Sequence, residues 1–392
     1  MTKSTLSTKT VRCGMQVVAL LAVVCGAARA GEWPVPFPLC PSAPLTYIPL
    51  WNIPSNTGIL CFVGNPPTAP GTTIFDVAVV PVIVKLLDVN GNVKFVLNPT
   101  KPLYVPVNSN TTFTALNAVD NSPIFSSQKF ILGSTTLGTV QWGEMAERAS
   151  FWKYPGTHFK SWHVEMATFP ITPSETLDVP NGSWYGLSEP NTYGVDATVL
   201  DPFLLKIAKK YPKGVPILLT YNIGEDTTKL PARKPGARNI TGCCAFGYHD
   251  LYTQGGFTSF FIWGSYLDAP GFGAPDLTAL SHEVAEFMHD PTGNNLVQSW
   301  PAPGSFPLPW SPPYKFTKCQ GNLEVGDPLE DRSGGEVQYE IKTSVMDYHF
   351  QNVVTASWLM QASPSFSVNG WYTLKGAVDG EFAAPAPVCP TP

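Results

Sequence analysis

The segment LSHEVAEFMHDP, from Leu280 to Pro291, restricts the fold most strongly because it has two chemically different helical faces. At about 100° per residue, apolar side chains gather on one side of a helix and polar side chains on the other. Asp276 as the N-cap residue and Pro291 as the stop set the predicted limits. We expect the apolar face to pack on a core and the polar face to be exposed in a cleft. The apolar face comprises Leu277, Leu280, Val284, Phe287 and Met288, and the polar face comprises His282, Glu286 and His289.

The polar face carries the pattern H-E-x-x-E, with His282, Glu283 and Glu286 at its fixed positions. Residues four apart are neighbours on a helix, so His282 and Glu286 are placed to bind one metal ion. Imidazole and carboxylate groups are both zinc ligands, at about 2.0–2.2 Å from the ion. Glu283 points away from this pair, as a general base that takes a proton from metal-bound water should. The pattern predicts a site for one zinc ion, although solvated helices also contain it by chance.

A catalytic zinc ion needs a third protein ligand, and the segment CQGNLEVGDPLE, residues 319–330, is the candidate source. Glu324 is the first choice. Asp327 either binds the ion instead or orients His282 through a hydrogen bond. His289 is the rival third ligand, because it lies on the same helical face one turn further along.

Three other residues are candidates for a role at this site. Tyr348 and His349 are potential donors to the oxyanion of a hydrolytic reaction, or else an aromatic pair in the core. His249 follows the Cys243–Cys244 pair closely, and it either contacts the site or forms a structural hydrogen bond.

The N-terminus has the pattern of a secretory signal peptide over residues 1–30. A basic start precedes a short apolar run, and small residues precede a cleavage site near Ala30–Gly31. Cleavage would remove four basic residues and no acidic ones, so the formal net charge would change from -5 to -9. An acidic protein of this kind is a poor match for nucleic acid or an anionic membrane. We therefore expect a secreted, extracellular or periplasmic protein that is not membrane-bound.

The cysteines outside the predicted leader are even in number, which indicates three disulfides in an exported chain. We expect a bridge between Cys40 and Cys61. We also expect Cys243 or Cys244 to bond Cys319 and so hold the Glu324 loop, because a ring between adjacent cysteines is strained. The six are Cys40, Cys61, Cys243, Cys244, Cys319 and Cys389.

Apolar periodicity predicts an α/β (α+β) fold with Pro-rich loops. After the leader, residues 31–72 form an extended Pro-rich segment, residues 73–380 form the main domain with a β-rich N-terminal part, and residues 381–392 form an extended tail. Strands are predicted within residues 75–97, 110–119, 128–133, 215–223 and 255–267. Helices are predicted over residues 139–154 and 197–212, besides the H-E-x-x-E helix.

The sequence ALSHEVAEFMHDP, followed by Trp300 and CQGNLEVGDPL, resembles a group of secreted bacterial proteins with a zincin-like H-E-x-x-E motif. ITGCCAFGYHDL, YHFQNVVTASWLMQ and SVNGW resemble further blocks of that group. More remotely, the chain is similar to the plant phosphate-induced, Exordium-like proteins. The resemblance covers roughly residues 75–375 and implies a zincin-like mixed sheet with a metal-binding helix. It assigns His282, Glu286 and Glu324 as metal ligands and Glu283 as the base.

These observations predict a secreted zinc-dependent hydrolase, in the first place a peptidase that acts on protein or peptide substrates or on cell-wall material. A non-catalytic secreted or cell-surface protein on a zincin-like scaffold is the alternative, and a hydrolase of glycan-attached esters or amides is a third. We expect a monomer.

Overall fold

The computed structural model describes residues 40, 46–55, 57–168, 172–226, 243–269, 273–301, 319–330, 338–376 and 382–389. The predicted leader, residues 1–30, lies outside these ranges. Among the described residues, no helix combines the length and apolarity needed to cross a membrane.

The described chain forms a strand-rich α+β structure, as predicted. The strands are β1 (Leu50–Ser55), β2 (Gly58–Val63), β3 (Gly71–Leu87), β4 (Val93–Leu97), β5 (Gln128–Leu132), β6 (Thr135–Val140), β7 (Trp162–Thr168), β8 (Glu175–Val179), β9 (Trp184–Gly186), β10 (Tyr193–Asp196), β11 (Val215–Tyr221), β12 (Ile223–Asp226), β13 (Cys243–Ala245), β14 (Gly247–Gln254), β15 (Phe257–Tyr266), β16 (Leu296–Pro301), β17 (Cys319–Asn322), β18 (Gln338–Lys342) and β19 (Asp347–Gln351). The helices are α1 (Ala115–Asp120), α2 (Trp142–Phe151), α3 (Ala197–Ala208), α4 (Thr278–His289) and α5 (Ala356–Leu359), with 3-10 turns at Asp327–Leu329 and Val368–Gly370.

The main sheet is mixed and is centred on the long strand β3. On one side of β3 the order is β11, β15 and β14, in which β11 and β15 run parallel to β3 and β14 is an antiparallel edge strand. Strand β7 pairs with the first half of β3 and β8 with the second, both in parallel. The continuous burial of β11 fits a central parallel strand with both faces covered.

Helix α4 lies against strands β14 and β15 and against helix α2. Glycine permits the close approach at two points. A Cβ atom at Gly264 would lie 2.9 Å from a side-chain carbon of Leu280, and one at Gly143 would lie 2.9 Å from Met288. Trp142 of α2 donates its indole N–H to the carbonyl oxygen of Ser281 at 2.9 Å. These contacts fix the depth and rotation of α4, and therefore the direction of its polar side chains.

Some local predictions differ from the structure. Residues 110–119 were predicted as a strand, but helix α1 begins at Ala115 because Thr114 and Asn117 form a capping box there. The N-cap of α4 is Leu277, whereas Asp276 has a left-handed φ of 41° and its carboxylate accepts the backbone N–H of His349 at 3.0 Å. The helix ends at His289, before Asp290 rather than at Pro291.

One of the predicted disulfide bridges is correct, and the other is wrong. Cys40 bonds Cys61, as expected. Cys319 bonds Cys389 and therefore links β17 to the C-terminal segment, while the adjacent residues Cys243 and Cys244 bond each other. Strand β17, which precedes the loop with Glu324, is therefore tied to the C-terminal segment at Cys389. It is not bridged to the strands that precede α4.

Candidate metal centre

The H-E-x-x-E helix is buried on all sides, which corrects the prediction of an exposed polar face. His282 and Glu286 are each only 2% exposed, and Glu283 is 3% exposed. The reason is that the loop from Leu323 to Glu330 and the end of β19 cover the polar side of α4, so this side faces other polar groups rather than solvent.

His282 is oriented by the amide side chain of Gln351. The Gln351 Nε2 donates to the carbonyl oxygen of Gly326 at 2.8 Å, so its Oε1 faces the imidazole and accepts the Nδ1–H of His282 at 2.6 Å. Nε2 is then the ring nitrogen that faces the carboxylates and could bind a metal ion. Metal-binding histidines commonly donate their other ring N–H in this way.

The Nε2 atom of His282 faces carboxylates but makes no hydrogen bond, although it is fully buried. It lies 3.0 Å from Glu286 Oε2 and 3.5 Å from Asp327 Oδ1, and the latter oxygen also makes no hydrogen bond. Ligands about 2.0–2.1 Å from a tetrahedral zinc ion are about 3.3 Å apart. The two distances bracket this value, so each carboxylate oxygen is spaced from Nε2 as a second ligand of one metal ion would be.

Glu286 is held by the backbone of the covering loop. Its Oε1 accepts the N–H groups of Gly326 at 2.9 Å and Asp327 at 3.2 Å, which leaves Oε2 for the centre. These two hydrogen bonds hold the covering loop against α4. They use the backbone of the loop, so this contact needs none of its side chains.

Gly326 is the point of closest approach between the loop and the helix, since a Cβ atom there would lie 2.5 Å from His282 Nδ1. We predict that Gly326→Ala displaces His282 and weakens metal binding about 10- to 100-fold, which is the usual effect of disturbing groups that orient ligands. Competition with a chromophoric chelator measures the change. Gly186→Ala is the control, because Gly186 is exposed and has open space at its Cβ position. Equal affinities for the two variants would contradict the prediction.

Glu283 lies between the two histidines of the centre. Its Oε1 is 3.9 Å from His282 Nε2, and its Oε2 is 3.2 Å from Nδ1 of His249 on β14. His249 Nε2 donates to the carbonyl oxygen of Asp290 at 2.9 Å, which fixes the ring. A Cβ atom at Gly247 would lie 2.7 Å from the Glu283 side chain, so β14 leaves space for this glutamate.

The covering loop supplies Asp327 rather than Glu324, the first choice, to the position beside His282. Glu324 Oε1 accepts the side-chain N–H of Asn322 at 2.6 Å, and its buried Oε2 makes no hydrogen bond. Its carboxyl group interacts with Glu286, Asp290 and Asp327, and no contact between it and His282 is found among the described ion pairs. Glu324 therefore adjoins the centre without facing His282.

Three other predicted site residues have partners elsewhere. His289 is not placed as a ligand, because its Nε2 contacts Ser150 Oγ at 2.9 Å and its Nδ1 contacts the carbonyl oxygen of Ala285 at 2.8 Å. The hydroxyl of Tyr348 donates to the carbonyl oxygen of Ala118 at 3.1 Å, which places it in the core. His349 is half-buried and its Nδ1 pairs with Asp276 at 2.6 Å.

The pKa values at the centre reflect buried charges in close contact. Burial opposes the charged form of His282, but the carboxylates of Glu286 and Glu283 raise its pKa well above the usual value. Burial alone would raise the pKa of Glu286, yet the neighbouring His282 lowers it to about 2. Burial and the nearby Glu286 raise the pKa of Glu324 well above its usual range. These contacts therefore favour the charged form of His282 and the neutral form of Glu324.

Sequence reasoning missed Gln351 and Glu330, and it left His249 undecided. Glu330 Oε1 lies 3.5 Å from His282 Nδ1. These groups form two neighbouring sets that are each compact enough to hold a metal ion, namely His249, Glu283 and Glu286, and His282, Asp327 and Glu330. The sequence signal for Glu330 was its place at the end of the predicted ligand segment, whereas Gln351 had no signal.

No family model matches the chain, and no curated protein or solved structure is significantly similar to it.

Proposed function

We propose that this protein is a zinc-dependent hydrolase in which His282, Glu286 and Asp327 hold the ion. The observation that carries the proposal is the buried Nε2 of His282, which lacks a hydrogen bond while two carboxylate oxygens lie 3.0 and 3.5 Å away. A donor set of imidazole and carboxylate suits zinc and related transition ions, whereas magnesium and calcium prefer oxygen donors alone.

A zinc ion in this place would supply a Lewis acid and lower the pKa of a bound water molecule. The chain supplies the general base. Glu283 lies next to the proposed ligands but, unlike Glu286, is not bound by the backbone of the covering loop. Its Oε2 lies beside Nδ1 of His249. This division of roles between His282, Glu286 and Glu283 is the one that the H-E-x-x-E pattern predicts.

A zincin-like architecture is consistent with the order of elements around the centre. A mixed sheet leads through strand β15 directly into α4, and the third ligand comes from a later segment, 41 residues after Glu286 in the case of Asp327. We propose protein or peptide substrates, or cell-wall material, after export. The substrate class is proposed from the likeness of the helix to the H-E-x-x-H pattern of metalloproteases, and export from the N-terminal signal pattern.

A non-catalytic metal-binding protein is the second candidate, and one observation favours it. Every proposed ligand is only 2% exposed, which is typical of a structural metal site that is closed to substrate. A catalytic site keeps one coordination position open.

The test is metal-dependent hydrolysis of an unstructured protein substrate such as fluorescently labelled casein. We predict that a chelator abolishes cleavage and that one equivalent of zinc restores it. Metal binding without cleavage of any peptide, ester or amide would support the non-catalytic protein. Cleavage that persists in a chelator, after the bound metal has been shown to be gone, would contradict the proposed mechanism.

A further inference from the structure

The centre contains two buried carboxyl groups, of Glu283 and Glu324, besides the two that are proposed to hold the first ion. Four carboxyl groups, of Glu283, Glu286, Glu324 and Asp327, are buried around the two histidines. Within the described chain, no lysine or arginine forms an ion pair with these four groups. Buried charges without compensation are costly, and buried acidic groups are normally paired or bind metals.

The ligands of the first ion leave one histidine and one carboxylate oxygen unused. His249 Nδ1 lies 3.2 Å from Glu283 Oε2 and 4.0 Å from Glu286 Oε2. The first distance is close to the spacing of about 3.3 Å between two ligands of one tetrahedral ion. The second requires only a small movement of a side chain. All three ligand atoms lie within 4.8 Å of one another.

The orientation of His249 repeats that of His282. His282 donates Nδ1–H to the amide oxygen of Gln351, and His249 donates Nε2–H to the carbonyl oxygen of Asp290. In each ring, one nitrogen therefore donates to an uncharged oxygen. The other nitrogen, Nε2 of His282 or Nδ1 of His249, lies beside a glutamate carboxylate. The carboxyl group of Glu324 adds a further buried acidic group beside Glu286 and Asp290. His249, Glu283 and Glu286 are themselves buried and compact enough to hold a metal ion.

We propose that the protein has a second divalent cation site, formed by His249 Nδ1, Glu283 Oε2 and Glu286 Oε2, beside the ion at His282. The donor set again favours zinc or a related transition ion. One consequence rests on the proposed function: an ion on Glu283 occupies the general base, so the doubly loaded protein is a poorer hydrolase than the singly loaded one. The site itself does not rest on it, because it is defined by binding.

The experiment counts zinc ions on the full chain. Metal is removed with a chelator, zinc is added in excess, unbound zinc is removed by gel filtration, and zinc is measured by elemental mass spectrometry. We expect two ions per chain in the natural protein, one in His249→Asn and one in Glu283→Gln, which keeps the shape of the glutamate. His158→Asn is the control and should keep two, because His158 is exposed and lies outside the centre.

The outcomes separate the second site from the proposed function. One ion in the natural protein and one in His249→Asn would overturn the second site and leave the first intact. Two ions in both would also overturn it, because the second ion would then lie elsewhere. No bound zinc in the natural protein would overturn both. If His249→Asn fails to fold by circular dichroism, the count for Glu283→Gln decides.

Discussion

Replacement of Glu283 by glutamine is expected to lower kcat/KM for a protein substrate by about 10²- to 10⁴-fold, which is the usual contribution of a general base. Glutamine has the same shape but cannot accept the proton. The first ion should stay bound, because His282, Glu286 and Asp327 are unchanged. Hydrolysis and zinc content, measured on the same preparation at one equivalent of zinc, report the two effects separately.

Substitutions at Glu286 are the matched comparison. Glu286→Ala removes a ligand, so metal and activity should be lost together. Glu286→His creates the H-E-x-x-H pattern and should bind zinc at least as well, because imidazole is a good neutral ligand. One negative charge fewer at the ion should make the bound water more acidic. Activity that survives both Glu283→Gln and a chelator would rule out this mechanism.

Glu147→Gln is expected to stabilise the protein at pH 8 by about 1–3 kcal/mol, the usual cost of a buried polar group without partners. Glu147 of α2 is fully buried, its carboxylate oxygens make no hydrogen bond of good geometry, and the nearby indole N–H of Trp51 offsets only part of the cost of burial. Burial raises the pKa of this group well above its usual value, and the nearby Glu144 raises it further. Glutamine removes the ionisable group from the core.

The pH dependence gives the sign of this effect. Well below the ordinary glutamate pKa of about 4.3, Glu147 is protonated in both the folded and the unfolded chain and has no differential effect. As the pH rises, only the unfolded chain releases the proton, so the folded state loses stability until the pH reaches the raised pKa. The advantage of Glu147→Gln should therefore be small at pH 4 and large at pH 8. Urea unfolding at the two pH values measures it.

Glu144→Gln is the matched control on the same helix. The Glu144 carboxylate accepts from Arg148 Nε at 2.7 Å and from the backbone N–H of Val164 at 3.1 Å. Loss of this charge leaves Arg148 buried without its counter-ion, which is expected to cost about 3–5 kcal/mol. A gain for Glu147→Gln that is equal at pH 4 and pH 8 would contradict the argument from ionisation.

The main elements of the fold follow from local sequence patterns. The apolar run that became β11 and the turn between β3 and β4 were recognisable because burial and turn chemistry act over a few residues. Helix α1 was missed because its capping box lies in a threonine-rich stretch that also has strand propensity. The pairing of Cys319 with Cys389 depends on the path of the whole chain, which spacing does not encode.

The relative positions of the site residues on α4 could be predicted from the sequence. The contributions of the covering loop and of the strands were harder to predict. Helical spacing alone places His282 beside Glu286, and the structure has them 3.0 Å apart. The choice between Glu324 and Asp327 depends on the loop conformation, which the backbone N–H groups of Gly326 and Asp327 set by bonding Glu286. His289 was considered as a ligand because a helical wheel shows only the direction of a side chain. The packing of α2 against α4 gives His289 a different partner, Ser150.

The residues of the centre lie far apart in the sequence, which affects when a metal ion can be bound during synthesis of the chain. The residues that meet around His282 come from β14, α4, the covering loop and β19, so the last of them, Gln351, is synthesised about 100 residues after His249. Until Gln351 is available, Nδ1 of His282 has no amide partner and the ring is not fixed. A metal ion that arrives earlier meets an unformed set of ligands. We therefore expect metal insertion to be a late step that follows synthesis of nearly the whole chain, and to take place in the compartment where folding is completed.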